Sequence, residues 1–306
     1  MKKKLTRREF LALAASLGIS VYAAQYFFGP GGENFVMRSA SASLNSQLTY
    51  SKNKSASEMT REVIEKLGGI NKFVKPGETV VLKPNIAWDR GPGYGANTSP
   101  EIAATVAKLC KEAGAKTVKI IDNPCVDSRV AYTRSGFLKI GQAVGADIYY
   151  LDNRSLKEMR INGHFVKDWP VYRDFIETDR LINIPVAKHH GSSKLSIGMK
   201  NWLGAIGGNR GELHASLDES IVDFASFFKP DLTIIDMTEV LVANGPRGGN
   251  LSDVRKFNTV IGGTDIVACD AFASTFFNHS PEDIKYIKMA HSDGLGDMNY
   301  KKLLNA

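Results

Sequence analysis

The sequence predicts an α/β protein: a mostly parallel sheet with helices on both faces and a small β-hairpin insertion. Three observations carry that expectation. Short runs of Val, Ile and Leu, such as ETVVLK, TVKIID and DLTIIDM, recur between segments of helical period. The runs are apolar throughout rather than alternating, which marks strands buried on both faces. Strands and helices take turns along the chain, which calls for crossover connections rather than a meander. At 306 residues and 43% apolar content, the chain can bury a sizeable core.

The elements follow in order. Residues 43–57 (SLNSQLTYSKNKSAS) read as a polar leader, and a single domain is expected over 58–306. TREVIEKLGGINKFV has helical period, and GETVVLKPN is a short strand. Ser99, Pro100 and Glu101 open the next helix, because proline at the first helical position has no amide hydrogen to lose. TVKIID is a strand, RSGFLKIGQAVG a helix and DIYYLD a strand. MRINGHFVKDWPVYRDFI reads as the hairpin, turning near Asn162-Gly163 or Lys167-Asp168. RLINIPVAK is a strand, and Ser216-Leu217-Asp218-Glu219 is a capping box for a helix that ends before Pro230. DLTIIDM and NTVIGG are strands, IVACDAFASTFF is a helix, and Ser280-Pro281 opens the last one.

The formal charge of +7 comes largely from residues 1–42, which hold six Lys or Arg against two Glu. The remaining 33 basic and 30 acidic residues nearly balance, so charge gives no case for a nucleic-acid partner. Within the first 42 residues, Thr6-Arg7-Arg8-Glu9-Phe10-Leu11 precedes the apolar run FLALAASLGISVYAAQYFF. Paired arginines ahead of a moderately hydrophobic run resemble a twin-arginine export signal. The run is barely long enough to span a bilayer, and Gly18 and Gln25 weaken it. Cleavage at Ala40-Ser41-Ala42 and retention as an inner-membrane anchor are both open. Export through the twin-arginine machinery to a periplasmic or other extracytoplasmic location is the expectation. Cys110, Cys125 and Cys269 are an odd three with no C-x-x-C, so neither a disulfide scaffold nor an iron–sulfur cluster is expected.

Polar residues collect at strand ends: Lys83-Pro84-Asn85, Asp122-Asn123, Lys188-His189-His190, Asp236-Met237-Thr238-Glu239 and Gly262-Gly263-Thr264-Asp265. In parallel sheets the carboxyl ends of strands converge on one crevice, where ligands bind. Taken singly, Asp122 and Asp265 read as helix caps and Asn85 as a turn residue. The centre of the crevice is KHHGSSKLSIGMKNWLGAIGGNRGELH, with His189, His190, Lys200, Asn201, Arg210 and His214 among many glycines. Two tasks suit that composition. Neutral imidazoles of His189, His190 and His214 are natural donors to nickel or zinc. Alternatively, Lys200 and Arg210, with glycine amides, hold an anion. The loop Val242–Asn250, with Asn244 and Arg247, is either a glycine-hinged lid or an exposed turn. His164, His279 and His291 read as surface or helix-end histidines.

KPGETVVLKPN, SPEIAATVAKLCKEAGAKTVKIID, INIPVAKHHGSSKLSIGMKNWLG and KPDLTIIDMTEVLVANGP, in that order, resemble the bacterial family called domain of unknown function 362. A more distant likeness is to lactate racemases that use a nickel-pincer nucleotide. There, a histidine, a lysine that anchors the cofactor and a nickel-ligating histidine follow at similar spacing. By that order the resemblance implies proton transfer by His190 or His189, anchoring by Lys200 and metal ligation by His214. The chain departs from the racemases in having no histidine before His164, whereas they use a second catalytic histidine from the N-terminal half. The candidate set is therefore His190, Lys200 and Asp122 as catalytic groups, and Lys83, Asn85, Lys200, Asn201, Arg210 and Asn244 as cofactor-binding ones. Two functions fit it: a metal- or cofactor-dependent enzyme acting on a small anionic molecule, or a non-catalytic periplasmic module that binds a metal, a cofactor or a redox partner.

Overall fold

A seven-stranded sheet organises the described residues, 46–305 of the computed structural model, and its first strand falls where the sequence reads as a leader. Strand β1 (Leu48–Lys52) pairs antiparallel with β10 (Val254–Gly263), so residues 48–52 belong to the domain. Their polarity misled because Thr49 and Ser51 are buried in the sheet. Helix α1 (Ala56–Lys66) starts on a complete capping box: Ser55 Oγ accepts from the Glu58 amide, and Glu58 Oε2 accepts from the Ser55 amide.

Strands β2 (Thr79–Pro84), β3 (Thr117–Ile120), β6 (Arg180–Ile184) and β9 (Leu232–Leu241) run parallel, and the full order is β11-β1-β10-β9-β6-β2-β3, with β11 at Leu304–Asn305. The sheet is mixed and mostly parallel, as expected. Alternation across the strands divides two cores. Val80, Leu82, Ile182 and Ile184 face one side, under α1, α2 (Pro100–Glu112), α3 (Ser128–Ser135) and α4 (Phe137–Val144). Val81 and Leu181 face the other side, under α5 (Leu217–Phe228), α6 (Ile266–Ser274) and α7 (Lys285–Ser292). The period of two puts Lys83 and Asn183 on this second side.

The insertion is the antiparallel hairpin β4 (Leu156–Arg160) and β5 (Asp168–Tyr172), and a second small hairpin joins β7 (Lys188–His190) to β8 (Lys194–Ser196). Three local expectations are corrected. Gly136, at φ 88, splits RSGFLKIGQAVG between α3 and α4. DIYYLD makes only the single bridge Asp147–Lys119 to the sheet edge. Ser216 makes no side-chain cap; its carbonyl instead accepts from the Ser220 hydroxyl. Because β10 runs antiparallel to β9, Gly263 lies opposite Thr233, at the start of β9. The Gly262–Asp265 strand end is therefore on the opposite rim, away from the crevice. Among the described residues, no helix is long and apolar enough to cross a membrane. The twin-arginine motif lies outside the described residues.

Candidate functional site

The segment from Lys188 to His214 lies along the carboxyl ends of β2, β3 and β6, and its glycines fit it to the protein's own core. After β8 the chain passes Gly198 and Met199, whose amides donate to the two oxygens of buried Asp270 on α6, at 2.8 and 3.0 Å. A Cβ at residue 198 would lie 2.6 Å from Asp270 Oδ1. The turn Lys200–Gly204 follows, and a Cβ at residue 204 would lie 2.0 Å from Asp122 Oδ1. Only a residue without a side chain lets this turn settle on the floor of the crevice.

That floor is a closed polar network. Lys83 Nζ donates to Asp122 Oδ1 (2.5 Å), the Pro84 carbonyl (2.9 Å) and Asn201 Oδ1 (3.1 Å), which uses all three ammonium hydrogens. Asp122 Oδ2 accepts from the Ile86 amide at 2.6 Å. Asn201 Nδ2 donates to Asn183 Oδ1 at 2.9 Å and to the Lys83 carbonyl at 3.1 Å. Asn85 Nδ2 donates to Asn201 Oδ1, and Asn85 Oδ1 accepts from Lys188 Nζ. Lys83, Asp122, Asn183 and Asn201 are all buried. A buried ion pair is tolerable only when its remaining valences are met, and here they are. Asp122, expected as catalytic, and Lys83, Asn85 and Asn201, expected as cofactor-binding, spend these groups on one another and form a scaffold.

Beside that network the unpaired charges are cationic. Lys200 is half-buried and, among the described residues, has no hydrogen-bond or ion-pair partner. Burial lowers its pKa to about 8, against the opposing pull of Cys125. Lys188 is buried on neutral acceptors, Asn85 Oδ1 and the Ala96 carbonyl, and burial lowers it to about 7. Arg210, expected as cofactor-binding, donates to the carbonyls of Asn123, Leu203 and Pro124, tying the β3 exit to the turn. Its charge is left without a carboxylate.

The histidines are held as donors. His190 Nδ1 accepts from the amides of Ser192 (3.2 Å) and Ser193 (3.4 Å), and His189 Nδ1 accepts from the Gly245 amide (3.1 Å). A ring nitrogen that accepts carries no proton, so each neutral ring holds its hydrogen on Nε2. For His190, burial first, then Lys200, Lys188, His214 and His189, depresses the pKa to about 3 and keeps the ring neutral. An Nε2 metal ligand needs the opposite tautomer, with Nδ1–H donating. Among the described residues, no group of three or more His, Cys, Asp or Glu side chains is placed to hold a metal ion. His214 is exposed at the crevice mouth, close enough to act on His190. As hydrogen-bonded here, His189 and His190 each present Nε2–H, and either would ligate nickel or zinc through Nε2 only with its proton moved to Nδ1. Asn244 also turns away, donating to Asp253 Oδ2 within its own loop.

Asp236 is buried and accepts from the Ser99 amide, which anchors the start of α2, while Glu239 pairs with Lys256 across β9 and β10. Arg247 closes the 242–250 loop on Asp89 in a bidentate pair at 3.0 and 3.1 Å. Sequence reasoning missed Lys188 as a site cation and Asp270 as the support of the Lys200 turn. For Asp270 a signal exists: a lone carboxylate within the apolar run IVACDAFA has to meet donors inside the fold.

The fold and site define an α/β protein with a basic cluster at the carboxyl rim of its parallel strands, packed on a satisfied Lys–Asp–Asn network. The chain belongs to the family described as domain of unknown function (DUF362), whose model matches residues 80–275. It is 31% identical over 252 residues to the thylakoid-associated protein sll1697 of Synechocystis sp., covering 77% of this chain and 74% of that one. Among solved structures, it is similar to the lactate racemase apoprotein of Thermoanaerobacterium thermosaccharolyticum, at 10% identity and a TM-score of 0.45 over 75% of this chain. A Thermotoga maritima protein matches at 11% identity and a TM-score of 0.38 over 77% of this chain. The chain spans 56% and 59% of the lengths of those two structures.

Proposed function

We propose that the protein binds a small anionic molecule over Lys200 and acts on it there, with His190 Nε2–H as a second donor to the bound anion. The observation that carries this reading is a half-buried ammonium without a hydrogen-bond or ion-pair partner among the described residues, beside Lys188 and Arg210, whose own hydrogen-bond partners are neutral oxygens. Isolated buried charge is costly, so a site retaining it is matched to a charge that arrives with the ligand. Lys200, with a pKa lowered to about 8, is the group suited to exchange a proton with that ligand near neutrality. His190 suits polarisation of an oxygen rather than proton abstraction. The test is a thermal-shift and calorimetric screen of small anions on the purified protein and on Lys200→Met. Binding by the wild type that the variant loses supports the proposal; equal binding by both removes Lys200 from the site.

A second reading, a binding module without catalysis, is favoured by one observation: Lys83, Asp122, Asn85 and Asn201 satisfy one another, leaving few groups free to react. Turnover of any anion that binds decides between the two. We also propose export by the twin-arginine route to an extracytoplasmic site, on the strength of Thr6–Leu11 and the apolar run behind it. Replacing Arg7 and Arg8 with lysine should strand the protein in the cytoplasm. Unchanged fractionation would reject the route.

A further inference from the structure

We propose that the crevice selects an anion carrying two or more negative charges, a phosphate-type oxyanion or a dicarboxylate, over any monoanion. This rests on the reading of the site as anion-binding and deepens it. The charges around Lys200 are mostly positive. Lys188, which Lys200 acts on, is buried with only an amide oxygen and a carbonyl as acceptors. Arg210, which acts on Lys200, has three carbonyls as its partners. The carboxylate of Asp122 is matched by Lys83. Asp218 acts on Lys200 from α5 and lies 4.0 Å from Lys285, whose closer partner is Glu219 at 2.9 Å. The remaining groups that act on Lys200 and His190 are Cys125, His189 and His214. Arg210 and, once protonated, Lys188 and Lys200 therefore outnumber the carboxylate acting on them, with no ion pair among the three in the described residues. One negative charge leaves the other two cations uncompensated; a second meets them in a crevice where water screens poorly.

A further consequence follows from linkage. Burial and mutual repulsion lower Lys188 and Lys200 toward neutrality, and an arriving anion favours the protonated form of each. Both pKa values rise on binding, so the protein takes up protons when binding is measured near pH 8.

Isothermal titration at pH 8 tests both points, with sulfate and malonate as dianions and acetate as the monoanion, in two buffers of different ionisation enthalpy. Neither sulfate nor malonate titrates near this pH, so proton uptake reports on the protein. The expected result is at least tenfold tighter binding of one or both dianions than of acetate. Uptake should approach one proton per site and fall in Lys200→Met, whose fold is checked by circular dichroism. Equal or tighter binding of acetate, or dianion binding without proton uptake, overturns this inference while leaving the anion-binding reading standing. Failure of all three anions to bind overturns both.

Discussion

Gly204→Ala tests the central structural claim, that the Lys200 turn is seated directly on a buried ion pair. The new Cβ would lie 2.0 Å from Asp122 Oδ1 and 2.6 Å from Lys83 Nζ, both far inside ordinary contact. Gly204 does not have positive φ, so the substitution is steric and not a backbone-strain effect. Either the turn lifts or the carboxylate moves. Movement of Asp122 breaks the 2.5 Å bond to Lys83 and the 2.6 Å bond from the Ile86 amide. Overpacking costs about 1–3 kcal/mol. Stranding one partner of a buried pair costs about 3–5 kcal/mol. Since the structure relaxes along the cheaper path, the expected loss is about 1–3 kcal/mol, which lowers Tm by roughly 2–6 °C in a domain of this size. Urea denaturation followed by tryptophan fluorescence suits the measurement, because Trp202 lies in the same turn and stacks on Phe228 at 4.9 Å. Gly191→Ala is the control, since a Cβ there meets no atom within 4 Å. A change below about 0.5 kcal/mol for Gly204→Ala, within the range of ordinary surface substitutions, would refute the seating of the turn on the pair.

Two further perturbations read the buried charges through pH. Lys200 titrates near 8 in the folded chain against an ordinary 10.5, so the unfolded chain binds more protons between those values and stability gains from this group as pH rises through them. Lys200→Met should be the more stable protein at pH 7 and should lack that rise; a parallel pair of stability–pH curves would count against an uncompensated ammonium. Asp270 behaves oppositely. Burial raises it to about 7, the folded chain binds the extra proton between pH 4 and 7, and its contribution is lost as pH climbs through that window. Asp270→Asn offers one acceptor to two amides, so it should cost about 1–3 kcal/mol at pH 7. It should also flatten the wild type's decline between pH 4 and 7, and an unchanged slope in chemical denaturation would dismiss Asp270 as the titrating support of the turn.

The crevice gains its character from the separation of its two layers. Below, Lys83, Asp122, Asn85, Asn183 and Asn201 are consumed by one another and fix the strand exits relative to the turn. Above, Lys200 and His190 are held in place by contacts elsewhere: the Lys200 turn by Asp270, the His190 ring by two serine amides. Such support, with the Lys200 ammonium left free among the described residues, is the arrangement that keeps side chains in one geometry at little entropic cost.

The sequence by itself determined the α/β class, the parallel strands and the family, because apolar runs, helical period and ordered motifs are local signals. It also located the basic segment at the rim, because a parallel strand must end where its neighbours end. Other features belonged to the tertiary structure alone. Whether residues 48–52 form a strand depends on β10, some two hundred positions away, offering an edge. Whether Asp122 reacts or braces depends on Lys83 and on Gly204 reaching it from two separate elements. Which nitrogen of His189 or His190 carries the proton is set by backbone amides of neighbouring loops. Residue type states what a side chain can do; only its partners, brought together by folding, decide which of those capacities is already spent.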